Sequence, residues 1–348
     1  MCKFRSITIF YFSGTGNAKK IADWTSEFAR RRNIECQIVN IAKIDFNSIE
    51  AVNPETLIVI ISPIHGFNYP KLVLRFIKHL PGGENYVVLM NTRAGMKIGR
   101  IVTPGLTGIA FMLSSLLLKM KGYKIKGQIP FDMPSNWISV HPALKVESIK
   151  FIFNKNYERI EKHCNIIFSG EKDFHSFKDL IQDVLLAPVS FLYYIAGRFI
   201  FAKSYFASSA CNNCGLCIKN CPVKSIKLVA ERPFWTLRCE SCMKCMNSCP
   251  QNAIETAHGL FVLISIIGSV ITNLALSQIP EVYVQHWYIR LTLFTMVFFT
   301  LLGFLYRIQQ YLLKIKLISM FIEWTSLTHY KFWGRYKISS DDKLNPNW

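Results

Sequence analysis

Between residues 211 and 250 the chain reads CNNCGLCIKNCPVKSIKLVAERPFWTLRCESCMKCMNSCP, which holds eight of its eleven cysteines. One spacing is written twice. Cys211, Cys214, Cys217 and Cys221 make C-x2-C-x2-C-x3-C-P, and Cys239, Cys242, Cys245 and Cys249 repeat it. No other feature restricts the fold as much. The N-terminal run MCKFRSITIFYF leads into a Ser13-Gly14-Thr15-Gly16 loop rather than a small-residue cleavage site, so no secretory leader is expected. The thiols are therefore read as reduced, and clustered reduced thiols point to metal rather than disulfides. Tight spacing lets backbone N–H groups face the sulfurs. Pro222 and Pro250 close each run where the chain must leave. Cys2, Cys36 and Cys164 lie outside the box and read as ordinary thiols.

Structural zinc is the alternative, but one ion needs only two CxxC pairs, and the x3-C-P endings have no role there. The block resembles bacterial two-cluster ferredoxins, whose runs hold cubane [4Fe–4S] clusters. In that pattern the fourth cysteine of each run ligates the other cluster. The resemblance thus implies one cluster on Cys211, Cys214, Cys217 and Cys249. It implies a second on Cys239, Cys242, Cys245 and Cys221.

Ahead of the box, the first ~130 residues alternate strand-like and helix-like runs. Strands are expected at 6–12, 35–40, 56–62, 85–92 and 123–131. Helices are expected from 17 to about 32, from Pro70 to about 79 and from Pro104 to 121. A helix over 143–172 closes the unit. The run TLIVIIS reads as buried on both faces. This alternation predicts an α/β doubly wound parallel sheet with helices on both faces, binding its ligand at the carboxyl ends of the strands.

The loop FSGTGNA lies between the first strand and first helix. A helix N-terminus there offers unpaired N–H groups and a positive dipole end, which suit a phosphate. Ser13 and Thr15 add hydroxyls, while Gly14 and Gly16 allow close approach. Neither a Walker A loop nor the G-x-G-x-x-G fingerprint is present. The loop resembles the FMN-phosphate loop of flavodoxins, with Ala18 where a final hydroxyl is usual and Asn17 as a compensating donor. SPIHGFNYP, with Pro63, Ile64, His65, Gly66 and Phe67, looks like a loop flanking the flavin ring. NTRAGM, with Thr92, Arg93, Ala94 and Gly95, follows the fourth strand and looks like the other. The resemblance implies strand order 2-1-3-4-5. Residues 5–255 together resemble the bacterial and archaeal EFR1-type flavodoxin–ferredoxin fusions, which implies FMN and two [4Fe–4S] clusters as cofactors.

Five regions are expected: a flavodoxin-like FMN domain over 1–172, an aromatic connector over 173–206, a small α+β ferredoxin domain over 207–257, a transmembrane hairpin over 258–308 and a basic aromatic tail over 309–348. The connector, PVSFLYYIAGRFIFAKSYF, is read either as lying on a membrane surface or as packed on the sheet domain. GLFVLISIIGSVITNLALS carries no charge, and WYIRLTLFTMVFFTLLGFLY carries only Arg290. Each is near the ~20 residues a bilayer core requires. Basic residues crowd both flanks and are nearly absent from the turn, which predicts both termini on the cytoplasmic side of the cytoplasmic membrane.

Lys plus Arg exceeds Asp plus Glu, 41 against 22. These residues are spread along the chain rather than striped, so nucleic acid is not an expected partner. An electron-transfer role is expected, with a redox partner protein or small-molecule acceptor. The alternatives are a membrane-associated reductase of quinone type and a cluster-based redox sensor. Oligomeric state is left open.

Overall fold

The computed structural model describes residues 3–280 and 286–335. Cys2, most of the turn between the two apolar segments, and the end of the basic tail lie outside the described residues.

The first unit is a parallel sheet. Its strands are β1 (Ser6–Tyr11), β2 (Glu35–Asn40), β3 (Leu57–Pro63), β4 (Tyr86–Ile98), β6 (Lys124–Pro134) and the short edge strand β7 (Asp173–Phe174), in the order β2-β1-β3-β4-β6-β7. The added strand β5 (Ile101–Thr103) pairs antiparallel with the far end of β4. Four helices cover the faces: α1 (Asn17–Arg30), α2 (Lys71–His79), α3 (Ala110–Lys119) and α4 (Val146–Phe168). This is the doubly wound order expected, carried one strand further by β7. β3 shows why the sequence gives it. Leu57, Val59 and Ile61 enter one core with α1 and α4, while Ile58 and Ile60 enter the other with α2. Successive side chains of a strand face opposite ways, so a run apolar at every position must be covered on both sides. Each such residue contributes about 1.5–3 kcal/mol on burial.

Two expected elements are corrected. The 91–96 segment is not a loop: β4 continues to Ile98, and a two-residue turn at Gly99–Arg100 returns as β5. Within it Arg93 pairs with Asp132 and Gly95 with Pro134 along β6. The third helix begins at Ala110 rather than Pro104. The preceding N–H groups bond sideways, Gly105 to Asp132 Oδ1 at 2.8 Å, Gly108 to Asp183 Oδ1 at 2.8 Å and Ile109 to the Phe67 carbonyl at 3.0 Å.

The connector folds as α5 (Leu180–Leu185), α6 (Ala187–Leu192), a π-turn at Tyr193–Gly197 and α7 (Arg198–Ala202). Its two halves, Ser176–Leu185 and Ala187–Ala202, bend by 69°. Residues of both kinds of surroundings occur in it. Ile181, Leu185, Phe191 and Leu192 are exposed, whereas Tyr194 packs against the sheet core.

The cysteine unit is built on two small antiparallel pairs, β8 (Tyr205–Ala207) with β11 (Ile254–Thr256) and β9 (Ile226–Val229) with β10 (Arg232–Trp235). One-turn helices α8 (Leu216–Lys219) and α9 (Lys244–Asn247) lie within the two cysteine runs, before the last cysteine of each. The runs share a backbone: φ is positive at Asn213, Gly215 and Lys224 in the first and at Ser241, Met243 and Asn252 in the second. The repeat in spacing is thus a repeat in conformation. Two long helices follow, α10 (His258–Ser277) and α11 (Trp287–Leu312), both long and apolar enough to cross a membrane. The described part of the tail folds back onto both units. Glu323 of α12 (Lys316–Trp324) accepts from the Ser209 N–H at 2.6 Å, and Trp333 Nε1 beyond it donates to the Ile138 carbonyl at 2.6 Å.

Candidate functional site

Two cavities lie in the cysteine unit. One is lined by Cys211, Cys214, Cys217 and Cys249, and Cys245 also lines it. The other is lined by Cys221, Cys239, Cys242 and Cys245. The fourth cysteine of each run thus lies with the first three of the other. Eight thiols in two groups of four are the donor set a pair of cubane clusters requires. Burial pushes the Cys239 and Cys242 thiols up to about 12 and Cys217 to about 11. Such thiols are neutral without a metal, so loading them releases protons.

The second cysteine run sits directly on the loops at the carboxyl edge of the sheet. Gly14 packs so closely on Cys242 that a β-carbon there would stand 2.8 Å from the Cys242 Cβ, with the Cys242 carbonyl nearer still. Glu240, almost fully buried, accepts from the Lys71 N–H at 3.1 Å. It thereby sits at the N-terminus of α2, where the helix dipole favours an anion. Arg198 of α7 lies 3.8 Å from the same carboxylate. Burial pushes the Glu240 carboxyl up, and Arg198 draws it back. On the neighbouring loop, Gly66 has φ +54 and packs against the Tyr193 ring, where any β-carbon would overlap. Tyr193 in turn meets Trp137 and Phe201, with ring centroids 6.3 and 6.2 Å away.

The phosphate-type loop is open in chemistry. No side chain caps α1, no acidic residue occupies its first turn, and Gly16 enters it left-handed. Ser13 Oγ accepts from the Gly16 N–H at 3.0 Å. Thr15 Oγ1 accepts from Asn136. The Asn17 amide donates to the Pro134 carbonyl at 2.9 Å, tying α1 to β6. Ala18 is buried in the core beneath the loop. Pro63 ends β3, and Ile64 packs against the α2 core. His65 and Asn68 bridge the turn that holds Gly66 and Phe67 at positive φ. Burial lowers the His65 imidazole to about 4, against a smaller upward pull from the Glu240 backbone, so it is neutral near pH 7. His65 Nδ1 and Asn91 Oδ1 are buried without a hydrogen-bond partner. Buried polar atoms are normally satisfied, and a ring with polar edges between these strand ends would satisfy them. A phosphorylated flavin carries polar edges of the kind that these two atoms lack.

Arg93 belongs elsewhere. Its guanidinium is buried and bonds Asp132 Oδ1 at 2.6 Å and Asp179 Oδ2 at 2.5 Å. Of its segment, Thr92 is buried, Ala94 is exposed and Gly95 lies against β6. Arg93 fastens the strand end to β6 and to the connector. Arg93→Ala is expected to destabilise the first unit by about 3 kcal/mol, because it leaves Asp132 buried with weaker partners. A lowered urea midpoint would register this; an unchanged one would contradict it. Glu240 and Tyr193 are not legible as site residues in the sequence. The only available signal was an acidic residue inside the second cysteine run where the first has Asn212.

A family model described as a 4Fe-4S binding domain matches residues 233–255, which contain the second cysteine run. No curated protein matches the chain. Among solved structures, it is similar to a flavodoxin from the domain Archaea, at 11% identity over 46% of this chain and 99% of that one, with a TM-score of 0.28. Flavodoxin 1 from Bacillus cereus gives 14% identity over 45% and 98%, with a TM-score of 0.30. Flavodoxin from Megasphaera elsdenii gives 17% over 45% and 98%, with a TM-score of 0.27. The chain combines a doubly wound parallel α/β sheet with a 4Fe–4S binding region and two helices of membrane-spanning length.

Proposed function

We propose that the chain passes electrons between FMN and two [4Fe–4S] clusters at the cytoplasmic face of a membrane, as a member of the flavodoxin–ferredoxin fusion family that its sequence resembles. One observation carries this reading: the Cys239–Cys245 run packs on both the 13–17 and the 63–67 loops. When bound, a flavin exchanges one or two electrons and so links one-electron carriers to two-electron chemistry. Cys211, Cys214, Cys217 and Cys249 hold the outer cluster, and Cys239, Cys242, Cys245 and Cys221 hold the one nearer the sheet. The N–H groups of the first turn of α1, with the Ser13 and Thr15 hydroxyls, hold the phosphate. His65 and Asn91 flank the ring, and the aromatic wall of Tyr193 and Trp137 keeps water from the seam.

Membrane attachment is assigned to α10 and α11. At 1.5 Å per residue, the 26 residues of α11 extend roughly 39 Å, more than the ~30 Å hydrocarbon core. Its last turns are therefore free to pack on the cysteine unit, where Gln310 Nε2 donates to the Val229 carbonyl at 3.0 Å. The exposed apolar side of the connector continues this surface, since Phe199 of α7 meets Phe299 of α11 at 5.6 Å. A quinone-type reductase is the second reading. It is favoured by α10 and α11, whose length and apolar composition suit a lipid-soluble acceptor.

Anaerobic purification from the membrane fraction is expected to give about eight iron and one FMN per chain. Reducing the clusters is expected to bleach the flavin absorbance within the same molecule. About four iron, or zinc in place of iron, would overturn the assignment. Full loading without internal exchange would leave the cofactors and remove the proposed path.

A further inference from the structure

Far from the seam, His163 near the end of α4 meets the residues on either side of Phe174. His163 Nδ1 lies 2.7 Å from Asp173 Oδ2, and His175 Nε2 lies 3.4 Å from Asp173 Oδ1. The two imidazole rings stand at 86° with centroids 4.7 Å apart. One ligating atom from each of the three residues falls within 4.8 Å of the others. Asp173 and His163 are buried, while the His175 side chain is 39% exposed, so the cluster opens to solvent on one side.

A buried carboxylate needs a compensating charge. Among the described residues, the two histidines are the only groups within ion-pair reach of Asp173. Arg159, one turn earlier on α4, is engaged by Asp132 and the Pro130 carbonyl. Imidazole in its metal-binding form is neutral, which leaves the carboxylate charge unmatched by any fixed cation. Two imidazoles and one carboxylate are a ligand set for zinc or ferrous iron, not for magnesium or calcium.

We propose that His163, Asp173 and His175 form a binding site for a divalent transition metal, zinc by ligand type, with its open position toward solvent. β7 pairs with β6 only at Gly127 and Gln128, near the strand end away from the cofactor edge. A metal there does not lie on the electron path. It would pin the two-residue edge strand to α4, just where the connector departs through Ser176, which bonds Gln128.

The test uses the cluster-loaded full chain in detergent, dialysed against zinc and then against buffer, with zinc and iron counted together. About one zinc per chain beside unchanged iron is expected. Zinc-edge X-ray absorption is expected to show nitrogen and oxygen ligands at about 2.0–2.2 Å. His163→Gln with His175→Gln should lose the zinc and keep the iron and FMN. His175→Ala, at the exposed ligand, serves as a second variant if the double change disturbs folding, and it should lose zinc as well. Wild-type protein without zinc would overturn the site. So would zinc retained by the variants, or sulfur ligation at about 2.3 Å, which places the ion on cysteines.

Discussion

Replacing Cys221 by alanine is expected to lower iron from about eight to about four per chain and to silence exchange with the flavin, whereas replacing Cys249 should halve the iron and spare that exchange. The contrast follows from the cavity linings. Cys221 lies in the first run by sequence but lines the cavity of Cys239, Cys242 and Cys245. That cavity is the one whose Cys242 touches Gly14. Cys249 lies in the second run but lines the outer cavity with Cys211, Cys214 and Cys217. If each run held its own cluster, the phenotypes would swap: loss of Cys249 would silence the flavin and loss of Cys221 would not. Iron analysis alone does not separate the two cases, so flavin absorbance after chemical reduction is the deciding measurement. Equal behaviour of the two variants would argue against one cluster lying nearer the flavin.

The second large effect is expected from Gly14→Val. The added β-carbon must displace the Cys242 carbonyl, and backbone does not yield as a flexible side chain does. Overpacking of this kind costs about 1–3 kcal/mol. The expected result is a chain that still loads iron but exchanges electrons between clusters and flavin well below the wild-type rate, since tunnelling weakens steeply as the seam widens. FMN content should be measured in parallel, because Gly14 also belongs to the phosphate loop. Retained FMN with slow exchange supports the seam as the path. Retained FMN with wild-type exchange would show that the contact at Cys242 carries no electrons.

The doubly wound sheet was legible because its evidence is local. Apolar runs such as Leu57–Pro63 admit no other exposure pattern, and the loop before Asn17 has a composition that suits a phosphate. The cysteine spacing was legible for the same reason. The 91–96 segment reads as a loop because Gly95 resembles a loop residue. Pairing of Ala94 and Gly95 with Met133 and Pro134 holds the segment extended instead. The helix expected from Pro104 fails because its first N–H groups are drawn to Asp132, Asp183 and Phe67, all distant in sequence. Glu240 shows the same limit at the site. Its role depends on the start of α2, 169 positions away, and no local pattern announces such a pairing. The fold was readable where it depends on period and spacing. The seam was not, because it depends on which surfaces meet.

The returning tail has a consequence for how the protein is made. Trp333 reaches back to Ile138, Arg335 donates to the Ile254 and Asn252 carbonyls, and Glu323 holds Ser209. These contacts clasp the two cofactor-bearing units together, yet they come from residues that leave the ribosome after everything they clasp. During synthesis both units and both long helices exist before the clasp does. The joint between the units is therefore completed only once residues 323–335 have been made.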